Sequence, residues 1–353
     1  MVVTIIQKIK TMKRIYILFL LAFVFGMLSC QNEEWEFPDF EYSTVYFPHQ
    51  YPVRTLILGD YEYDNENDKN LKFLISAHIG GMYENKSEQT VTFAIDEALA
   101  QNLKTDNGDT LKLLPSSYYT INDVDQIIIP QGEFHSGFEV QLNESFLNDT
   151  MSHKTHYVLP VRIITSSLDS ILRGKSTIEN ADLRVPGHWE VSPKDYTIFG
   201  IKYINPYHGK YLHRGISIIS DATNTPIDTI VYRQDFVEKD EIWHLQTISR
   251  NSVTVKGAIR SSAGSPGELL MDITFNDAEN GVITENPLSV FPITGTAKFV
   301  TNGDNWGGKD HNAIYLDYTI NVNQDIHSIK DTLVIRDRDV RFETFNPVVV
   351  QNQ

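Results

Sequence analysis

Apolar positions along this chain follow two different patterns. From 15 to 28 they form one unbroken run interrupted only by Gly26, whereas from 44 onwards they alternate with polar positions in short stretches bounded by Gly, Pro, Asn or Asp. Alternation with a period of two sends successive side chains to opposite faces, so each stretch reads as a half-buried strand. In the first half the pattern predicts strands over 44–48, 54–58, 71–79, 90–95, 125–129, 136–142 and 155–164. Two breaks read as helical: 96–104, with Asp96 as N-cap and Leu99 and Leu103 on one face, and a single turn over 143–149. The second half predicts strands over 197–203, 210–219, 229–236, 241–247, 252–259, 268–275, 295–300 and 313–322. A last one covers 330–336 and runs on towards 345, with no helix between any of them.

About seven strands with turns between them in roughly 130 residues indicate a β-sandwich of immunoglobulin-like type. Long antiparallel strands without helices either close into a lipocalin-like β-barrel, which leaves no exposed edge, or build a second sandwich. Strand number and length favour the barrel. Between 177 and 194 the alternation fails, and Pro186, Gly187 and Pro193 appear. The expected organisation is all-β: a leader at 1–29, a tether at 30–43, an N-terminal sandwich at 44–180, a linker at 181–195 containing Trp189, and a C-terminal domain at 196–353.

The apolar run of 15–28 follows Lys13 and Arg14 and is shorter than the roughly 20 residues a spanning helix needs, so it reads as a signal peptide. Its end, Met27-Leu28-Ser29-Cys30, resembles a bacterial lipobox. That resemblance implies that Cys30 becomes the first mature residue and carries acyl chains, at about 0.8 kcal/mol per buried CH₂ enough for stable anchoring. The alternative is cleavage elsewhere, with Cys30 a stray thiol. Cys30 is the only cysteine, so an internal disulfide is excluded. Gln31-Asn32-Glu33-Glu34 resembles the acidic export signal of Bacteroidetes lipoproteins, which implies a lipid-anchored protein on the outer face of the outer membrane. Residues 1–11 are an extended leader start or lie upstream of a true start at Met12.

The formal net charge is −16, and the leader holds Lys8, Lys10, Lys13 and Arg14 but no acid, so the chain after Ser29 is more acidic still. Nucleic acid is therefore excluded as a partner, because phosphate binding needs a basic footprint.

Five blocks carry a family resemblance: VYFP at 45–48, HIGGMYENKSEQTVTFAID at 78–96, LLPSSYYTI at 113–121, IIIPQGEFHSG at 127–137 and HYVLPVRI at 156–163. They are similar to the N-terminal domain of Bacteroidetes polysaccharide-utilisation surface lipoproteins, domain-of-unknown-function family 1735. YHGKYL at 207–212 and DTLVIRDRDVRFETF at 331–345 resemble the second domain of such proteins, family 4361. The resemblance implies a glycan ligand and, as partners, an outer-membrane transporter and a glycan-binding lipoprotein.

Motifs for catalysis are missing from the sequence: no nucleophile elbow, zinc-protease helix or phosphate loop occurs, so the expected protein is not an enzyme and uses no cofactor or metal. A glycoside hydrolase is the lesser alternative, and an adhesin or structural protein with a protein partner is the other. His153 with His156, and His208 with His213, have spacings that ligate metal only if further ligands converge, so a hydrogen-bonding role is expected. The suggestive stretch is TNGDNWGGKDH at 301–311. Sugars present an apolar C–H face and a hydroxyl rim, so a glycan site wants an aromatic plate beside amide, acid and base groups. Trp306 with Asn302, Asp304, Asn305, Lys309 and Asp310 supplies these; alternatively Trp306 folds back over the barrel as a plug. Tyr203 and Tyr207, around Asn205-Pro206, are further ligand candidates at a barrel mouth. Trp243 is expected in the core. Asp-Thr/Ser-hydrophobic triplets at 109, 149, 169, 228 and 331 match an O-glycosylation pattern of exported Bacteroidetes proteins.

Overall fold

A computed structural model describes residues 40–59, 65–122, 125–260, 267–322 and 324–350. The leader and Cys30 lie outside the described residues. The first strands are β1 (Thr44–Tyr46), β2 (Val53–Leu58), β3 (Lys72–Gly80), β4 (Gln89–Ile95), β5 (Leu103–Lys104), β6 (Lys112–Leu113), β7 (Tyr119–Ile121) and β8 (Gln126–Ile129). They are followed by β9 (His135–Leu142), β10 (Tyr157–Ser166), β11 (Ser170–Ile171) and β12 (Tyr196–Tyr203). One sheet runs β11-β1-β3-β9-β7; the facing sheet includes β2-β12-β10-β4-β8. Alternate residues of both sheets, among them Ile75, Val91, Phe93, Phe138 and Val161, meet in one core, and Phe93 stacks on Phe138 at 3.9 Å. The expected sandwich is therefore present.

The boundary at 195/196 falls elsewhere. β12 lies between β10 and β2 inside the sandwich, antiparallel to the first and parallel to the second. Its alternation is that of any strand, so local pattern could not assign it. Nor is 181–195 a free linker. Trp189 donates its indole N–H to the Asp182 carbonyl at 2.8 Å, Tyr196 donates its hydroxyl to the Leu183 carbonyl at 2.7 Å, and Arg184 donates to the Gln101 carbonyl at 2.6 Å. The segment caps the apolar cluster of Leu99, Leu103, Val158 and Ile198. The helix expected over 96–104 shortens to a 3₁₀ turn at Glu97–Ala100, capped by Asp96, because Leu103 and Lys104 are drawn into strand pairing with the chain's end.

The second domain comprises β13 (Gly209–Ser220), β14 (Pro226–Tyr232), β15 (Glu241–Ser249), β16 (Ser252–Ile259), β17 (Gly267–Phe275), β18 (Asn280–Glu285), β19 (Ile293–Trp306), β20 (Lys309–Val322) and β21 (Asp325–Asp337). It is a closed eight-stranded barrel, the first of the two expected alternatives. From β15 to β21 the strands follow in sequence order, and closure comes from β13 pairing with β21 over Lys210–Ser220. β14 pairs with the outer half of β13 and β15 with its inner half, so together they occupy one position around the barrel.

The lumen is filled rather than hollow at mid-height, and two glycines make the room. A Cβ on Gly257 would lie 2.4 Å from the Trp243 indole, and one on Gly215 would lie 1.9 Å from an oxygen of Asp331. Trp243 is thus in the core, 1 % exposed.

After β21 the chain leaves the barrel and returns to the sandwich. β22 (Glu343–Phe345) pairs with β2, and β23 (Val348–Val349) with β5. Sandwich and barrel belong to one packed unit.

Candidate functional site

The segment joining the domains is held by a buried asparagine. Asn205 donates through its side-chain amide to the carbonyls of Ser249 and Ser252, at 3.0 and 2.9 Å, and accepts from the Tyr207 N–H at 3.1 Å. Arg338, just past β21, donates to the carbonyls of Asn205 and Pro206 at 2.6 and 2.7 Å. Next to it His208 accepts the Thr247 backbone N–H on its Nδ1 at 3.1 Å. This geometry uses the ring's lone pair and so needs neutral imidazole. Burial, with Arg338 and Lys202 adding positive charge, lowers His208 to about 4.

Because the tail after β21 crosses from barrel to sandwich, it walls off a cleft of about 1130 Å³ at the junction. The sandwich contributes the turn 105–110 and the segment 151–156; the barrel contributes Lys210 and His244; the tail contributes 339–345. Phe342 stands in this cleft 70 % exposed, with the Arg54 guanidinium 5.1 Å from its ring centroid. Around it are acceptors (Asp106, Asn107, Asp109) and donors (Lys154, Lys210, Arg341), together with His156 and His244. Three of the cleft's charges are tied down: Lys210 meets Asp339 at 2.5 Å, and Glu343 meets Lys202, outside the lining, at 2.6 Å. Burial alone would raise Asp339, but the Lys210 hydrogen bond and the charges of Lys210 and Arg341 hold it below the ordinary carboxylate range. Burial, reinforced by Lys112, lowers His156, making it a neutral hydrogen-bonding group near pH 7.

Of the residues singled out from sequence, the 301–311 group is brought together, but as the end of a hairpin rather than an open loop. β19 and β20 run through it to a two-residue turn at Gly307-Gly308, whose φ of +58° and +75° are those glycine adopts without strain. Its polar groups serve the hairpin. Asn305 donates to Asp310 at 3.0 Å, Asp304 accepts the Asn305 N–H at 2.7 Å, and Asn302, at φ +53°, donates its N–H to Asn312 at 3.1 Å. Lys309 is exposed. Trp306 is half-buried, one face stacked on His311 at 4.5 Å and its N–H given to the Ile335 carbonyl at 3.0 Å. It clasps the hairpin to β21, close to the plug alternative.

Tyr203 and Tyr207 sit apart from that hairpin. Both line a second junction cleft of about 860 Å³ with Arg250, Asn148 and Asn251, yet each ring is only 9 % exposed. Tyr203 belongs to the sandwich core, and Tyr207 stacks on Phe275 at 3.9 Å, closing the junction end of the barrel. They offer edges rather than faces. His213 is buried against Asp331 inside the barrel. Among the described residues no group of three or more His, Cys, Asp or Glu converges to hold a metal. Thr110, Thr150 and Thr229 of the Asp-Thr triplets are exposed, whereas Asp331 of the last triplet is buried.

Sequence reasoning missed Phe342, Lys154 and His244. Their proximity arises from three remote segments, and no local spacing signals it.

Residues 206–339 match the family model of DUF5627, a domain of unknown function, and 40–170 match one described as an N-terminal domain. The resemblance had pointed to family 4361 for the second domain and 1735 for the first. A crystal structure of a protein of unknown function from Bacteroides ovatus is 35 % identical, covers 88 % of this chain and 100 % of its own, and superposes with a TM-score of 0.81. An auxiliary nutrient binding protein from Bacteroides thetaiotaomicron is 15 % identical over 81 % of this chain and 91 % of its own, with a TM-score of 0.38. A multidomain protein including DUF1735 from Bacteroides ovatus is 12 % identical over 86 % of this chain and 100 % of its own, with a TM-score of 0.40. Those last two likenesses are too distant to bear on ligand or fold. Comparison with curated proteins found no significant match. With more than a third of its residues shared over the whole length of the first of these structures, and a barrel that coincides with the DUF5627 match, the chain belongs to the family of that Bacteroides ovatus protein, its second domain a DUF5627 domain.

Proposed function

We propose that this protein is a non-catalytic, glycan-binding surface lipoprotein. It is anchored in the outer membrane through acylated Cys30, faces the exterior, and supplies poly- or oligosaccharide to an uptake system of transporter and glycan-binding lipoprotein. The observation that carries the ligand is Phe342, an exposed ring inside a polar cleft at a domain junction. Sugar C–H faces stack on such a ring while hydroxyls bond to the surrounding amide, acid and base groups. Hydrolysis needs a carboxyl kept protonated to act as acid, usually by an environment that raises its pKa. Asp339, held below the ordinary range by Lys210, is not fitted to be that acid.

In affinity electrophoresis or calorimetry against a polysaccharide panel, Phe342→Ala is expected to weaken binding about tenfold, the scale of one lost stacking contact. Trp306→Ala serves as the comparison. If it abolishes binding while Phe342→Ala does not, the hairpin is the site and the cleft is not. For the anchor, the mature protein is expected to partition into detergent with Cys30 blocked; intact-mass detection of a free thiol would remove the lipoprotein reading.

One feature favours the second reading, a protein-binding adhesin. β14 has a single neighbour, β13, among the described residues, and it exposes Ile227 and Val231 at 59 % and 56 %. An unguarded apolar edge of this kind can accept a partner's strand. Pull-down of a protein partner without any sugar affinity would favour it.

A further inference from the structure

We infer that the junction cleft selects neutral, hydroxyl-rich glycan chains and discriminates against those bearing uronate or sulfate groups. This specificity rests on the glycan reading above and refines it.

The cleft has no surplus of positive charge to offer an anion. Lys210 is already bound to Asp339, at 2.5 Å, and Lys202, which is not part of the lining, is bound to Glu343 at 2.6 Å. Arg341, the guanidinium best suited to clasp a carboxylate or sulfate in two-point fashion, has its nearest carboxylate in the same Asp339, at 3.7 Å. Lys154 stands without an ion-pair partner among the described residues. It and Arg341 line the same cleft as Asp106 and Asp109, both exposed on the turn 105–110. The cleft is therefore bipolar, with an acceptor stretch at 105–110 and donors from Lys154, Arg341 and the two histidines.

A hydroxyl group both donates and accepts, so a neutral sugar chain satisfies both stretches at once. A carboxylate or sulfate only accepts: it matches the donors and is repelled by Asp106 and Asp109. The ring of Phe342 adds a contact that does not depend on ligand charge. At longer range the chain's net charge of −16 repels polyanions before they reach the cleft.

The test is calorimetry of the full protein with neutral polysaccharides (glucan, mannan, galactan) and with polygalacturonate and chondroitin sulfate, each at low and high salt. The expected result is binding of at least one neutral chain with affinity unchanged by salt, and binding of the polyanions at least tenfold weaker. Preferential, salt-sensitive binding of a polyanion would overturn the selectivity and leave the glycan reading standing. Binding of no glycan at all would overturn the glycan reading, and the selectivity with it. A second measurement uses the surface variant Asp106→Asn/Asp109→Asn, which leaves the folded core untouched. Its affinity for polygalacturonate at low salt is expected to rise about tenfold, the scale of one or two screened charges. An affinity no higher than that of the unmodified protein would count against discrimination by these two carboxylates.

Discussion

Replacing Asp331 by alanine is expected to cost about 3–5 kcal/mol of unfolding free energy, the usual penalty for leaving a buried charge pair half broken. Asp331 is 3 % exposed inside the barrel. It accepts the Tyr232 hydroxyl at 2.8 Å and the Tyr318 hydroxyl at 2.7 Å, and His213 Nε2 lies 3.0 Å from it. The His213 ring is sandwiched between Trp243, at 3.6 Å, and Tyr232, at 5.1 Å. Burial would lower His213, but hydrogen bonding and charge from Asp331 and Glu241 reverse this and raise it above the ordinary histidine value. Alanine thus strands two phenols and takes the carboxylate away from His213, and it opens space at the pocket that Gly215 leaves for that carboxylate. The measurement is urea unfolding followed by Trp fluorescence, with the midpoint falling and the slope unchanged. Asp331→Asn, which keeps the size and one acceptor, should lose less. A cost below about 1 kcal/mol for the alanine variant would place the network among ordinary surface interactions and overturn its structural role.

Acid is expected to weaken the fold through the junction at His208. Its folded value of about 4 lies below the ordinary 6.5, so between these limits the unfolded chain binds a proton that the folded chain refuses. Stability from this group is fully present above 6.5 and falls as pH drops towards 4. At about 1.4 kcal/mol per pH unit the loss reaches roughly 3 kcal/mol. Burial is the largest cause, Arg338 and Lys202 add to it, and Asp339 opposes it. Protonation would also set an N–H on Nδ1 against the Thr247 N–H that now donates to it. His78, His153, His156 and His327 are lowered as well and act in the same direction. His213 acts in the opposite one, since its raised value adds stability below 6.5 that is lost as pH rises through the folded value. His208→Asn retains an acceptor near the Nδ1 position and removes the titration. Its stability profile between pH 6.5 and 4 should therefore be flatter than that of the unmodified protein. Parallel profiles for the two proteins would show that His208 does not report on this window.

The strands were legible because burial on one face imposes a period of two. Val253 and Val255, Leu269, Met271 and Ile273, and Leu316, Tyr318 and Ile320 all point into the barrel as their alternation requires. The extended hairpin at 301–311 was less legible. Its Asn, Asp and Gly residues have the composition of a loop, but those same side chains bond across the hairpin and prolong β19 and β20 by several residues. β12 shows the opposite limit: its strand character was plain, and its membership in the sandwich was not, because parallel pairing with β2 joins segments about 140 residues apart.

By itself the sequence determined an all-β chain, the inward and outward face of nearly every strand, an acidic balance of charge, and an apolar run followed by the chain's one cysteine. Each of these follows from near-neighbour chemistry: alternation, turn residues, formal charge and a short apolar run. Tertiary structure alone decided that the second domain closes, that the tail returns to the sandwich, and that Phe342 shares a cleft with Lys154 and Lys210. Those outcomes depend on pairings such as β13 with β21 and β22 with β2, between segments whose separation in the chain carries no periodic signal.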